Sequence, residues 1–277
     1  MYKDVLVSVL MPARNEELYI ERAIKSVLDQ THKNLELLII NDKSTDRTGE
    51  IIKKYTSVDK RVKYLEGSAT GVADARNILQ AEAKGEYIAN ADADDFCKPN
   101  RIQKLLAKAL ELVAPCMVGS NFDIYKDGKF LRVETFPEEH SEIKRMLNTT
   151  FNRYSISAGQ LLGTAFLFKN HPVQNKFKIM SDWDQFLRIQ ENPDVKLGNV
   201  DESLYIYYIN SGSMTRRKFE RSLYSAFLRD SELRRIKGEK EFISLNDYIN
   251  NFWKMPKSLA VNSFFITTKY IQQFIVY

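Results

Sequence analysis

An α/β fold built on a mostly parallel sheet flanked by helices is the fold class that the sequence predicts. Short apolar runs alternate with segments of helical periodicity over about the first 115 residues of the 277-residue chain. That alternation is typical of strand–helix–strand units with right-handed crossovers. The later residues are predicted to add a hairpin, further strands and a basic helical extension at the C terminus.

Four strands and the helices between them are predicted for the first part. Residues 6–11 form a continuous apolar run rich in β-branched residues, as a buried parallel strand does, and similar runs follow at 35–40, 62–65 and 87–89. Apolar residues at i, i+3 and i+4 spacing predict the helices. Because such sheets bind ligands beyond the carboxyl ends of their strands, polar residues at those ends are the candidates for a site.

The second half has a different pattern. Residues 123–125 and 130–133 flank a turn and predict a hairpin. Further strands are predicted at 161–168, 196–200 and 205–209, with a helix at 183–189. From residue 216 the pattern is helical and basic, and residues 259–277 are expected to form an amphipathic helix, packed on the protein or lying in a membrane interface.

Composition excludes several classes. The charged fraction of 28% and the hydrophobic fraction of 44% are those of a globular chain. Two cysteines give no disulfide framework or zinc pattern, and no signal peptide or membrane span is recognised, so a cytoplasmic location is expected. The net charge of +5 suits an anionic ligand, a nucleic acid or a membrane surface equally. The basic C-terminal stretch could be a solvated helix face or a surface for anionic lipids.

An acidic cluster follows the fourth predicted strand. Asp92, Asp94 and Asp95 would repel one another if buried without a cation, and such oxygen ligands suit Mg²⁺ or Mn²⁺. An acidic surface turn is the alternative. Phe96 and Cys97 stand where a calcium loop needs other residues, and neither a Walker A loop nor a GxGxxG segment is present.

Several motifs in order resemble those of GT-A-type family 2 glycosyltransferases. They are the segments Val-Ser-Val-Leu-Met-Pro-Ala-Arg-Asn-Glu-Glu at 7–17, Ser-Val-Leu-Asp-Gln-Thr at 26–31, Asn-Asp-Lys-Ser-Thr-Asp at 41–46, Ala-Arg-Asn at 75–77, and Gly-Glu-Tyr-Ile at 85–88 leading into Asp-Ala-Asp-Asp at 92–95. The match covers about the first 120 residues. It implies a GT-A, Rossmann-like fold and a nucleotide-sugar donor, most often UDP-linked.

The resemblance also implies roles for the donor side. Asp42 would bind the base, Arg76 would lie beside the nucleotide, Asp92 would approach the ribose or the metal, and Asp94 would ligate Mn²⁺ or Mg²⁺. The nucleoside would be surrounded by Pro12, Ala13, Arg14 and Glu16. Structural alternatives are a helix-capping turn for Asp42 and a surface salt bridge for Arg76.

The acceptor side resembles the family less closely. Residues 181–188 are similar to the family segment E-D-x-D-x-x-x-R, which implies that Asp182 is the catalytic base. Ser181 replaces the usual Glu, and Tyr208 and Asn210 stand where an Arg and a His often occur. A helix N-cap is the alternative role for Asp182.

The resemblance implies an inverting transferase that acts on a growing surface glycan, free or lipid-linked. Residues 1–215 would form the glycosyltransferase domain, with a nucleotide-sugar half at 1–120 and an acceptor half at 121–215, and residues 216–277 the extension. No nucleic acid partner is expected. Peripheral contact of the extension with the inner face of the cytoplasmic membrane is an option. A non-catalytic binding or scaffold protein and a sugar nucleotidyltransferase are the alternatives.

Overall fold

The computed structural model describes residues 4–113, 115–149, 155–210 and 218–252. Its centre is a nine-stranded mixed sheet in the order β3-β2-β1-β4-β8-β6-β9-β5, with β7 paired to β6. The strands are β1 (Val7–Ala13), β2 (Leu35–Asn41), β3 (Val62–Glu66), β4 (Tyr87–Asn90), β5 (Phe96–Cys97), β6 (Cys116–Lys126), β7 (Lys129–Glu134), β8 (Leu162–Thr164) and β9 (Lys196–Ile209). The α/β fold class is therefore confirmed.

The sheet is parallel throughout its first part and mixed in its second. Strands β3, β2, β1 and β4 are parallel to one another, as the strand–helix alternation predicts. Strand β8 runs antiparallel to both β4 and β6, whereas β6 and β9 are parallel to each other. The carboxyl ends of β1, β2, β4, β6 and β9 consequently lie along one edge of the sheet, where the polar loops collect.

Helices cover both faces of the sheet. Those of the first part are α1 (Ile20–Leu28), α2 (Thr48–Val58), α3 (Val72–Glu82) and α4 (Arg101–Glu111). Those of the second part are α5 (His140–Thr149), α6 (Ala165–Asn170), α7 (Ser181–Gln190), α8 (Lys218–Ile236) and α9 (Leu245–Phe252). In β1, alternate side chains enter opposite cores: Val9 packs with α1 and α4, and Leu10 packs with α3, α6 and α7.

Two predicted elements differ from the structure. The strand expected at 161–168 ends at Thr164, and helix α6 follows. In α6, Ala165 and Phe168, three residues apart, are buried together with Leu167, while Phe166 stays exposed. A short apolar run does not distinguish a strand from a buried helix. The two strands expected at 196–200 and 205–209 are the single strand β9, whose pairing with β6 shifts register at Asn121. Helix α5 was not predicted.

The C-terminal helices are part of the same core. The ring of Phe227 on α8 lies 4.7 Å from that of Phe177, and Tyr248 on α9 is buried against it. The helical prediction is confirmed for the residues described here. The amphipathic helix expected at 259–277 and the start of the extension at residue 216 lie outside those residues. No helix of the described ranges is both long and apolar enough to cross a membrane.

Candidate active site

The loops that follow β1 and β2 are joined by hydrogen bonds from backbone to side chain. Asn15, which has a left-handed backbone with φ of 57°, accepts a hydrogen bond from the backbone N–H of Thr45 at 2.8 Å. The backbone N–H of Glu16 donates to the Thr48 hydroxyl at 2.7 Å. These bonds join residues 13–17 to residues 42–48 at the carboxyl edge of the sheet. The two joined segments are called the rim below.

Asp42 is buried on this rim. Its backbone N–H donates to the carbonyl of Ala13 at 2.9 Å, and its Oδ1 accepts the backbone N–H of Ala69 at 2.7 Å. The other carboxylate oxygen lies 3.9 Å from the guanidinium of the half-exposed Arg14. The structure thus brings Ala13, Arg14 and Asp42 together, with Pro12 opposite Ile40 on β2. Asp42 does not cap a helix: it holds the loop after β3.

Arg76 connects the two halves of the site. It projects from α3, is only 7% exposed, and donates from Nη2 to Oδ1 of Asp92 at 3.3 Å. Its Nη1 lies 3.9 Å from Oδ2 of Asp182, near the start of α7. The alternative of a surface salt bridge for Arg76 is therefore wrong. Asp182 is also not the helix N-cap, because Met180 occupies that position.

Gly159 faces the same two carboxylates. A Cβ atom added at Gly159 would lie 3.1 Å from Oδ2 of Asp182 and 3.9 Å from Oδ2 of Asp92. The glycine belongs to a short 3-10 helix, Ala158–Gln160, that directly precedes β8 in the chain. Its missing side chain leaves room beside the proposed base.

The loop that contains Asp92, Asp94 and Asp95 is held from several sides. The Tyr205 hydroxyl accepts the backbone N–H of Asp92 at 3.0 Å. Arg22 donates to the backbone carbonyl of Asp94 at 2.7 Å. The buried carboxylate of Asp95 accepts the N–H of Tyr208 at 2.8 Å, while its Oδ2 has no hydrogen-bond partner. These contacts hold the backbone of the loop, and the carboxylate of Asp94 stays half-buried beside Asp92.

Carboxyl groups are concentrated around Asp94. Burial, followed by the charges of Asp94, Asp46 and Asp92, raises the pKa of Glu16 to about 8. Burial and the neighbouring Asp92 raise the pKa of Asp94 to about 6, although Asn210 and Arg22 act in the opposite direction. Burial also raises the pKa of Asp92, against the opposing charge of Arg76. Glu16 and Asp94 therefore carry negative charge that the neighbouring cations offset only in part.

These carboxylates fit a hard divalent ion that is only partly ligated by protein. The described residues contain no group of three or more His, Cys, Asp or Glu side chains that could hold a metal by themselves. Magnesium, however, usually takes one or two carboxylates and completes its shell with water and substrate phosphates. The uncompensated charge at Asp94 and the unpartnered Oδ2 of Asp95 suit such an ion.

Two structural residues of the site were not predicted from the sequence. Arg101 on α4 is fully buried and donates from Nη2 to the carbonyls of Asn90 at 2.8 Å and Gln160 at 2.7 Å. Its guanidinium lies 5.0 Å from the ring centre of Tyr205. No sequence signal links Tyr205 to Asp92, because the pairing of β9 with β5 and β6, which are distant from it in sequence, places Tyr205.

Comparison with known proteins identifies the family. The family model described as "Glycosyl transferase family 2" matches residues 8–170. The chain belongs to glycosyl transferase family 2. It therefore contains a glycosyltransferase domain of that family, and residues 8–170 carry the rim, Arg76, the acidic loop and Gly159. Asp182 and helices α7 to α9 lie beyond the matched segment.

Relatives and solved structures agree with this membership. The chain is 31% identical over 221 residues to WcaA of Escherichia coli, a putative colanic acid biosynthesis glycosyl transferase, covering 77% of this chain and 76% of WcaA. It is 26% identical over 275 residues to glycosyltransferase GlyA of Streptococcus pneumoniae, covering 94% of this chain and 37% of GlyA. The chain thus spans little more than a third of GlyA.

The fold is shared with S. aureus TarS. A structure of a TarS fragment in complex with UDP-GlcNAc superposes with a TM-score of 0.65 at 17% identity, covering 95% of this chain and 81% of that one. At this identity the likeness establishes the fold alone. It agrees with the GT-A, Rossmann-like fold expected from the sequence.

Proposed function

We propose that this chain transfers a hexose or N-acetylhexosamine from a nucleotide diphosphate sugar, most simply a UDP-sugar, to an acceptor hydroxyl of a growing surface glycan, free or lipid-linked. The observation that carries the proposal is the approach of Asp182 to Arg76, which also contacts Asp92. A carboxylate from the second half of the chain thereby faces the donor-side residues of the first. The names of WcaA and of TarS with UDP-GlcNAc support this donor and acceptor class.

The donor side is proposed to bind the nucleotide on the rim. Asp42 and Arg14 lie at its base, and Pro12, Ala13 and Glu16 border it. Arg76, almost fully buried, supplies positive charge near the position proposed for the diphosphate. When bound, Mn²⁺ or Mg²⁺ held by Asp94, with Asp92 beside it, would stabilise negative charge on the leaving diphosphate.

The acceptor side is proposed to carry the base. Asp182 takes the proton of the acceptor hydroxyl as that oxygen bonds to the anomeric carbon and the bond from this carbon to the diphosphate oxygen breaks. A single in-line displacement of this kind inverts the anomeric configuration. Gly159 leaves space in front of Oδ2 of Asp182 for the acceptor hydroxyl. A positioned base contributes about 10²–10⁴-fold in rate.

The test begins with a panel of sugar nucleotides, each added with Mn²⁺ or with a chelator. A ligand that binds only the folded protein raises its thermal midpoint. We expect a UDP-sugar with Mn²⁺ to do so and to release UDP slowly by hydrolysis. D94A should lose the Mn²⁺-dependent part of the shift, whereas D201N, altered at an exposed carboxylate that accepts from Asn121, should keep it.

The assignment of Asp182 as the base is tested separately. The substrate is the sugar nucleotide that raises the thermal midpoint most, called the stabilising donor below. D182N should reduce UDP release at least about 100-fold while retaining the thermal shift, because the amide keeps its place but accepts no proton. A D182N protein that turned over donor at the wild-type rate would contradict the assignment. If no sugar nucleotide stabilised the wild-type protein or yielded UDP, the proposed function itself would be wrong.

A further inference from the structure

A second carboxylate follows the proposed base on α7. Asp184 is fully buried, and burial raises its pKa. Its Oδ2 accepts a hydrogen bond from Nε of Arg188 at 2.9 Å, one turn further along the helix. Its Oδ1 is buried and has no hydrogen-bond partner. A buried carboxylate with one oxygen unsatisfied is costly in free energy, and an additional cation nearby lowers that cost.

That cation comes from the C-terminal region of the chain. Arg235, in the last turn of α8, places Nη1 4.0 Å from Oδ1 of Asp184. Its Nε donates to the carboxylate of Glu191, just after α7, at 2.9 Å, and Nη1 lies 3.5 Å from Glu241. Arg235 is largely buried, and contact with Glu191 keeps its pKa raised despite the cost of burial. One side chain of α8 therefore contacts both ends of α7.

Helix geometry couples this contact to the base. Successive residues of an α-helix are about 100° apart around its axis, so Asp182 and Asp184 point to roughly opposite sides of α7. Asp184 faces α8, and Asp182 faces Arg76 on the other side. The chain enters α7 through Met180, whose backbone is left-handed with φ of 66°. Any rotation of α7 that loosened the Arg235 contact would also move Asp182.

We propose that Arg235 is a positioning residue that fixes the rotation of α7 and thereby holds the carboxylate of Asp182 in reach of the acceptor hydroxyl. The inference rests on the proposed function, since it assumes Asp182 to be the base. It makes α8 part of the catalytic assembly although the segment matched by the family model ends at residue 170. It also means that the positive charge of Arg235 pairs with carboxylates of the protein and does not serve solvent or lipid contact.

The neighbouring arginine provides a matched control. Arg234 lies on the same turn of α8, 3.7 Å from Glu239 and with its guanidinium 4.4 Å from the ring centre of Phe242. These partners belong to the C-terminal region and not to α7. R234M and R235M therefore remove the same charge and the same number of atoms from one helix, and they differ in whether α7 loses a contact.

The experiment compares kcat, KM and hydrogen exchange in the two variants of the full chain. UDP release from the stabilising donor is measured well below the thermal midpoint of each protein. We expect R235M to lower kcat about tenfold, since misplacing a catalytic group by about 1 Å has effects of that order or larger, while the donor KM stays unchanged. R234M should keep the wild-type kcat. R235K, which retains the charge, should recover part of the rate.

Hydrogen exchange of residues 181–190 gives a readout that needs no turnover. Exchange in α7 should be faster in R235M than in R234M, with β1 to β3 unchanged in both. Equal kcat and equal α7 exchange in the two variants would overturn the inference. R235Q, neutral but polar, replaces R235M if that variant does not fold. A wild-type protein that released no UDP from any donor would refute the proposed function, and α7 exchange would still test the contact.

Discussion

Nη1 of Arg76 lies 3.9 Å from Oδ2 of Asp182, which joins helix α3 of the first half of the chain to helix α7 of the second. The same guanidinium reaches Asp92 at 3.3 Å. Because Arg76 is nearly inaccessible to solvent, its interactions with both carboxylates are poorly screened. The side chain of Arg76 therefore helps to set the position of the proposed base relative to the acidic loop.

Replacing Arg76 should therefore affect turnover more than folding of the sheet. R76M leaves Asp92 without its cation and Asp182 without its neighbour, and we expect kcat for UDP release to fall about 10- to 100-fold. Steady-state kinetics with the stabilising donor measures this. R76K keeps the charge but not the planar guanidinium, and its kcat should lie between those of R76M and the wild type. Wild-type turnover in R76M would show that the contact is incidental.

Gly159 is expected to tolerate no side chain without loss of rate. The Cβ of alanine would lie 3.1 Å from Oδ2 of Asp182, closer than an ordinary van der Waals contact. We predict that G159A lowers kcat about tenfold by displacing that carboxylate, with the UDP-dependent thermal shift retained. G198A is the control, because its Cβ would meet the flexible ends of Leu112 and Lys108 at 3.3 Å and the Glu138 carbonyl at an ordinary 3.7 Å. Equal kcat values for the two variants would contradict the prediction.

The raised pKa of Glu16 predicts how the metal-free protein responds to pH. The pKa rises from 4.5 to about 8 on folding, so the folded protein binds a proton that the unfolded chain releases between these values. The resulting stability is fully present below pH 4.5 and is lost as pH rises through 8. With a chelator present, the thermal midpoint should therefore fall as pH rises from 5 to about 8.

The variant E16Q isolates this contribution, since glutamine stays neutral. Its thermal midpoint should exceed that of the wild type at about pH 8.5 and approach it near pH 5. Circular dichroism melts across this range provide the measurement. E50Q changes an exposed glutamate that pairs with Arg47, and its thermal midpoint should fall with pH at the wild-type slope. If E16Q had that slope as well, Glu16 would not be the titrating group.

Arg101 should matter for stability. Its guanidinium is fully buried, and R101M would leave the carbonyls of Asn90 and Gln160 without their donor. Each unsatisfied buried group costs about 1–3 kcal/mol, so we expect the free energy of unfolding to fall by about 3 kcal/mol or more. Urea denaturation measures it, with K108M on the more exposed side of α4 as the control. A loss below about 1 kcal/mol would contradict this role.

The parallel half of the fold could be predicted from the sequence because its signals are local. Each of its strands is an apolar run, and the intervening helices have amphipathic spacing. The donor-side candidates follow from where those runs end: Glu16 follows β1, Asp42 follows β2 and Asp92 follows β4. The roles assigned to these side chains toward a ligand stay predictions.

The second half was less predictable because its determinants are distant in sequence. Tyr205 accepts the N–H of Asp92 because β9 pairs with β5 and β6, which are distant from it in sequence. Arg235 reaches Asp184 only because α8 packs beside α7. Neither contact leaves a periodic or motif signal in the residues that make it. Local patterns identify elements, whereas these contacts arise from how the elements pack.

The hydrogen bonds between the loops after β1 and β2 have a consequence for how a donor would be recognised. Asn15 holds Thr45 and Glu16 holds Thr48 before any ligand arrives, so this part of the protein gives up little conformational entropy on binding. A donor should therefore bind to a preorganised site. Discrimination between nucleotides would then depend on shape and hydrogen bonding at the rim, with little induced ordering of its backbone.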